Sequence, residues 1–190
     1  MLAYSSISHA GFMLVGLQAG TMQGVSSTLN YVAIYSFMLL GAFAVVTVAS
    51  SPSHDVNQDL KDYRGLAKRR PGLALLFTVF LLAQAGVPLT GGFIAKFDVI
   101  AAAVNAKSYL LATVAMLSAV IAAFLYLRIV LSMYATGDDH DAEVAVARDP
   151  ALTPSRAIAV ALAIAVIVTV ATGVLPGPAL DLARHATLAF

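Results

Sequence analysis

The chain contains no cysteine and no tryptophan, and only 11% of its 190 residues are Asp, Glu, Lys or Arg. Without cysteine the chain can carry no disulfide, no thiolate zinc site and no iron–sulfur cluster, and its redox compartment cannot be read from thiols. Without tryptophan, anchoring at a membrane–water interface falls to Tyr, Lys and Arg. A net charge of +1 offers no bulk attraction to nucleic acid. Phosphate loops, dinucleotide fingerprints, His-Glu-x-x-His and Ser/His/Asp spacings are also missing. The glycine-rich run from Gly86 to Gly92 lacks the Lys-Ser/Thr that would make it a phosphate cradle. No site for NADH, flavin or haem is therefore expected, and protonation is the chemistry left.

What is present is apolar. Hydrophobic residues make up 60% of the chain and the mean hydropathy is +0.87, against about 45–50% apolar and about 25% charged in soluble domains. Such a chain is solvated by lipid. The expected fold is all-α, a polytopic membrane helix bundle in one domain over residues 1–190. Met1 leads into an apolar helix with no basic n-region, which argues against a signal peptide. No domain is expected before the first span.

Five passages are expected. The first is Leu2 to Gln18, near the lower limit of about 17 residues for crossing a bilayer. Ser5 and His9 share one of its faces. The bland reading of His9 is a packing histidine hydrogen-bonded to a neighbouring helix. Thr21 to Ser27 reads as a polar turn and Leu29 to Ser50 as the second span, with Tyr31 and Tyr35 on one side. Tyr31, near the end, suits an interfacial anchor; Tyr35, deeper, suits one less well. A basic loop from Ser51 to Arg70 follows.

Pro71 to Val104 is too long for one straight span, about 51 Å against a core of about 30 Å. Divided at Pro88, its pieces are each short for a span. It reads as one passage broken near its middle by Gly86, Pro88, Gly91 and Gly92, carrying Lys96 and Asp98 in apolar surroundings. A broken helix with an intramembrane charge marks an ion pathway. Lys96 and Asp98 are two apart and do not face each other, so each needs a partner from another helix or from water. Five helices would leave both facing lipid on at least one side unless another protein covers them. Ser108 to Tyr134 is the next span, with Arg128 near enough its end to snorkel. Thr136 to Pro154 is an acidic loop whose Asp138-Asp139-His140-Asp141 run fixes no coordination geometry. Arg156 to Val174 is the last span, ended by Pro176-Gly177-Pro178 and a short tail.

Side one, the side of Met1, holds Lys61, Arg64, Lys68, Arg69, Arg70, Arg148 and Arg156; side two holds Lys107 and Arg184. The positive-inside rule places Met1 in the cytoplasm and Phe190 outside.

Tyr4-Ser5-Ser6-Ile7-Ser8-His9-Ala10-Gly11 is similar to a helix start shared by antiporter-like subunits of respiratory complex I and by multisubunit cation/proton antiporters. Tyr63-Arg64-Gly65-Leu66 with Arg69-Arg70-Pro71, and Ala85 through Phe97, discriminate further. Together with Tyr126-Leu127-Arg128 they resemble the subunit N family of NADH-quinone oxidoreductase, in order and over nearly the whole chain. The related subunit M family carries a glutamate where Lys96 stands. Subunits L and M carry histidines and a lysine on the helix where this chain has Tyr31, Tyr35 and Leu39.

The resemblance implies a membrane subunit of a proton-pumping NADH-quinone oxidoreductase in the bacterial inner membrane. Lys96 would be its mid-membrane protonatable group and His9 a proton-path residue, with Ser5, Tyr35 and Asp98 as further candidates. Desolvation favours a neutral amine and a nearby carboxylate a charged one, so a lysine between those influences can load and release a proton. NAD, FMN, iron–sulfur clusters and quinone would belong to other subunits. Asp98 departs from the family pattern. The resemblance covers only the last five of about fourteen helices, so an N-terminal half-module, the other membrane subunits and the bilayer are the expected partners. A cation/proton antiporter subunit, or a non-pumping structural remnant, is the alternative.

Overall fold

Apolar helix formers dominate the chain, and in lipid a helix satisfies its own backbone groups. The computed structural model describes residues 2–49, 63–135 and 155–187. Every regular element among them is a helix: α1 (Leu2–Gln18), α2 (Met22–Ala49), α3 (Leu66–Arg69), α4 (Pro71–Ala85), α5 (Gly91–Asn105), α6 (Tyr109–Tyr134), α7 (Arg156–Val174) and α8 (Gly177–Thr187). Most of the basic loop and the acidic run at 138–141 lie outside the described residues.

Two boundaries differ from the expectation. The polar stretch Thr21–Ser27 belongs to α2, which starts at Met22. The Thr21 hydroxyl accepts from the Gly24 N–H at 3.0 Å, and the Thr28 hydroxyl donates to the Gly24 carbonyl at 2.8 Å, so these side chains serve the helix rather than end it. The tail after Val174 is also helical. Leu175 and Pro176 interrupt the helix after α7, and α8 resumes at Gly177 and packs on α2.

The two ends of α2 order the bundle. At its start, the Asn105 amide donates to Gln23 Oε1 at 2.9 Å. At its finish, the Arg70 guanidinium donates to the Val48 carbonyl at 3.0 Å. So α4 begins beside the end of α2, and α5 finishes beside its start. The two short helices, 15 residues each, together run the length of one long helix. Among the described helices α2, α6 and α7 are long and apolar enough to cross a membrane by length and composition. α1, at 17 residues, is slightly shorter.

Packing is close where side chains are small. A Cβ at Gly16 would overlap the Thr28 hydroxyl, and one at Gly24 the Gly16 carbonyl, so α1 and α2 meet backbone to backbone. A Cβ at Gly41 would enter the Phe80 ring. One apolar cluster gathers Val45, Phe77, Phe80, Leu81, Ile129 and Met133. A second holds Phe12, Tyr31, Ile34, Met38 and Val99, and the candidate site lies within it.

Candidate functional site: a buried lysine at a helix break

The break spans 86–90. Gly86 takes φ 89°, a left-handed conformation that glycine adopts without a Cβ penalty, and its N–H closes α4 on the Leu82 and Ala83 carbonyls. Leu89 sits at φ 70°, where a side chain is strained. Neighbouring helices hold the segment there. A Cβ at Gly92 would overlap the Ala83 carbonyl, so α5 restarts directly against the last turn of α4. A Cβ at Gly91 would strike Thr172 and Ile34, and one at Gly173 the backbone of Leu89 and Thr90. The break is thus clamped between α2 and α7. Pro88 stands within the turn, where its missing N–H costs nothing.

Lys96, six residues into α5 from Thr90, is 6% exposed. Its side chain turns back along the break. Nζ donates to the Gln84 carbonyl at 2.8 Å and to the Ala85 carbonyl at 3.1 Å. These carbonyls end α4, where the ladder stops and the helix dipole is negative. The amine also lies 5.2 Å from the centroid of the Phe12 ring, over its face. The half-bundle alone therefore buries Lys96, against the expectation that the residue faces lipid. Backbone, rather than a carboxylate, partners it.

His9 is 2% exposed and sits in a nest of tyrosines. Nδ1 is 2.8 Å from the Tyr31 hydroxyl and Nε2 is 3.1 Å from the Tyr126 hydroxyl. Tyr35 stacks on the imidazole with ring centroids 4.3 Å apart, and its hydroxyl donates to Ser6 Oγ at 2.9 Å. The Tyr126 hydroxyl also hydrogen-bonds Ser5. A neutral imidazole has one N–H and one lone pair, so one tyrosine donates to His9 and the other accepts from it. That polarity can reverse, which is the chemistry of a relay. Tyr31, 1% exposed, is a core residue and not an interfacial anchor; the reading from its sequence position fails because α2 begins at Met22 and so places it deeper.

Lys96, His9 and Tyr31 stand at one depth. Each is nine residues from the neighbouring end of its helix, at Asn105, Gln18 and Met22, or about 14 Å. Phe12, one turn from His9, stacks on Tyr31 with ring centroids 6.2 Å apart and contacts the Lys96 amine with its face. It separates the amine from the nest.

Asp98 joins neither group. It is half-buried on another side of α5, beside Asn30 and facing Arg184 of α8. Gln84 is fully buried, and its Oε1 has no partner. Tyr126, Phe12, Ser6 and Gln84 are site residues that the sequence reading did not single out; only Tyr126, in Tyr126-Leu127-Arg128, and Ser6, in Tyr4-Ser5-Ser6, carried a signal. Among the described residues, no group of three or more His, Cys, Asp or Glu stands together to hold a metal.

Residues 1–122 match the family described as NADH:quinone oxidoreductase/Mrp antiporter, transmembrane. The chain belongs to this family. It is 44% identical over its full length to the NADH-quinone oxidoreductase subunit N of Rhodococcus opacus (strain B4), of which it covers 34%. Superposition on a chain of respiratory complex I from Thermus thermophilus with bound aureothin gives a TM-score of 0.72 at 32% identity, over 95% of this chain and 38% of that one. A chain of the Mrp complex from Dietzia sp. DQ12-45-1b shares the fold, with a TM-score of 0.66 at 22% identity, over 98% of this chain and 41% of that one. The chain thus spans about a third of the length of the curated relatives it matches. Within the antiporter family it is an all-α membrane bundle, as its composition predicts.

Proposed function

We propose that this chain is part of a proton-translocating membrane subunit of an NADH-quinone oxidoreductase, and that Lys96 is its protonatable group. The observation that carries this reading is a buried lysine whose amine caps the carbonyl end of a broken helix. Charged, the amine is held by two carbonyls and a π face; neutral, it loses little because it sits away from water. The name of its Rhodococcus relative favours this reading over a cation/proton antiporter, in which the same lysine would serve without a redox partner.

In this reading His9, with Tyr31, Tyr126 and Ser5, forms a relay on the far side of Phe12 from Lys96, connected to it only when neighbouring elements move, and Tyr35 orients the imidazole by stacking. The electron carriers and quinone belong to other subunits, and the energy reaches Lys96 through motion of neighbouring elements. The chain lies in the bacterial plasma membrane in five passages, its start cytoplasmic and its end outside. Cysteines introduced at Asn57 and Ala189 label from opposite faces if this orientation holds; labelling from one face refutes it. Among the described residues there is no second broken helix with a charge, so the isolated chain is expected to be inactive in vesicles.

The direct test uses inverted membrane vesicles from cells carrying Lys96→Ala in the assembled complex. NADH-driven acidification is expected to fall to background and coupled quinone reduction to fall with it. Unchanged acidification would refute the proposal.

A further inference from the structure

Gln84 sits in the last turn of α4 and is 0% exposed. Its side chain makes one long hydrogen bond, Nε2 donating to the Met38 carbonyl of α2 at 3.5 Å. That carbonyl can only accept, so the amide nitrogen faces it and Oε1 faces away. Oε1 has no partner. Buried polar atoms are rarely left so poorly satisfied. The helices of this chain enclose Gln84 by themselves, so neither lipid nor another subunit touches it.

An unmatched donor stands against the same residue. A charged amine has three N–H groups, and two of those on Lys96 go to the Gln84 and Ala85 carbonyls. Gln84 thus already meets the amine through its backbone. Gly92 lies one turn before Lys96 on the same face of α5. A Cβ there would overlap the Ala83 carbonyl of α4 and stand 3.2 Å from Met38 Sδ of α2. The Lys96 stem runs back over Gly86, where a Cβ would stand 3.1 Å from its Cδ. The lysine, the end of α4 and the part of α2 that holds the Gln84 amide therefore meet at one place.

Taking Lys96 as the translocating group, on which this rests, we propose that the Gln84 amide oxygen is a second acceptor for its amine, which makes Gln84 a positioning residue. The ammonium moves between two stations, the carbonyls that end α4 and Oε1, and no bond to hydrogen is made or broken in the move. Side-chain torsions of Lys96 and Gln84 supply the motion. The bond to Met38 yields readily, since 3.5 Å lies beyond the usual range of about 2.7–3.2 Å. Met38 is one turn from Tyr35 on α2, so a shift of α2 moves the tyrosine nest and the Gln84 anchor together.

The test uses the assembled complex, with NADH-driven acidification of inverted vesicles and native gels as readouts. Gln84→Met keeps the length of the side chain and removes the acceptor. It is expected to assemble fully, because a poorly satisfied buried group is gone, and to lower acidification per NADH oxidised severalfold. Gln84→Glu places a carboxylate that pairs with the ammonium and holds it. This variant is expected to assemble and to acidify near the level of Lys96→Ala. In a Lys96→Ala background the same carboxylate has no partner, and an unpaired buried charge is strongly destabilising. The double variant is therefore expected to be lost from the complex while Lys96→Ala alone is retained. Full acidification in Gln84→Met, alongside its loss in Lys96→Ala, would overturn the second acceptor and spare the proposed function. Equal assembly of Gln84→Glu with and without Lys96, whatever Gln84→Met does, would put the side chain beyond the amine's reach and overturn it too. Full acidification in Lys96→Ala would overturn the proposed function and the second acceptor with it.

Discussion

Lys96 at the helix break and the tyrosine nest are both buried and stand at the same depth, yet they are held by opposite means. At the break, backbone does the holding: carbonyls at 2.8 and 3.1 Å receive Lys96, and glycines bring the chains into contact. At the nest, side chains hold one another: imidazole, three phenols and two serines satisfy each other across α1, α2 and α6. Backbone cannot be edited by substitution without moving the chain, whereas a hydroxyl can be removed cleanly. The break is therefore expected to be intolerant, and structural in its failures, where a Cβ would meet backbone, as at Gly92. The nest is expected to be tolerant and graded.

Gly92→Val is the harshest way to break that contrast. Its side chain would occupy the Ala83 carbonyl, and overpacking of this kind costs about 1–3 kcal/mol or more. Loss of the subunit from the assembled complex is expected on native gels. Normal assembly would show that α4 and α5 can separate. His9→Ala comes next. It removes the partner of the buried Tyr31 hydroxyl, at about 1–3 kcal/mol, while Tyr126 keeps its bond to Ser5. The complex is expected to assemble and its acidification rate to fall severalfold; an unchanged rate would reduce His9 to a packing residue.

Gly86→Ala sharpens the comparison from the other side. Left-handed φ costs a Cβ-bearing residue about 1–2 kcal/mol, and the new methyl would stand 3.1 Å from Lys96 Cδ, a flexible chain that can shift. A modest loss of acidification with full assembly is expected. The smallest effect belongs to Tyr35→Phe, which keeps the stacking on His9 and removes only the bond to Ser6. If it impaired pumping as much as His9→Ala, the relay would run through Tyr35.

The same division decides what could be read from the sequence. Gly86, Pro88, Gly91 and Gly92 act through their own backbone, so the break was visible as a string of residues. Its bounds, Ala85 and Gly91, fall where the string predicts. The mid-membrane place of Lys96 was implied by the family resemblance. The partners of Lys96 were not, because two carbonyls have no side-chain signature. The nest was half legible: Ser5, His9 and Tyr35 were candidates, but Tyr126 lies 117 residues from His9 and only the folded bundle joins them. Tyr31 was misplaced because Thr21 to Ser27 read as a turn, while in the fold Thr21 caps the helix and Thr28 donates back to it. The helix at 177–187 was missed because Pro176-Gly177-Pro178 reads as an ending, although proline suits a first helical turn as well.

The central claim is that Lys96 changes its protonation state, not merely that a positive charge stands at the break. Lys96→Arg in the assembled complex tests this most directly, by acidification of inverted vesicles per NADH oxidised. Arg keeps the charge and can still donate to the α4 carbonyls, but it does not deprotonate in proteins. The account predicts acidification near the level of Lys96→Ala. Acidification equal to that of the parent complex would show that a fixed charge suffices and would contradict the account.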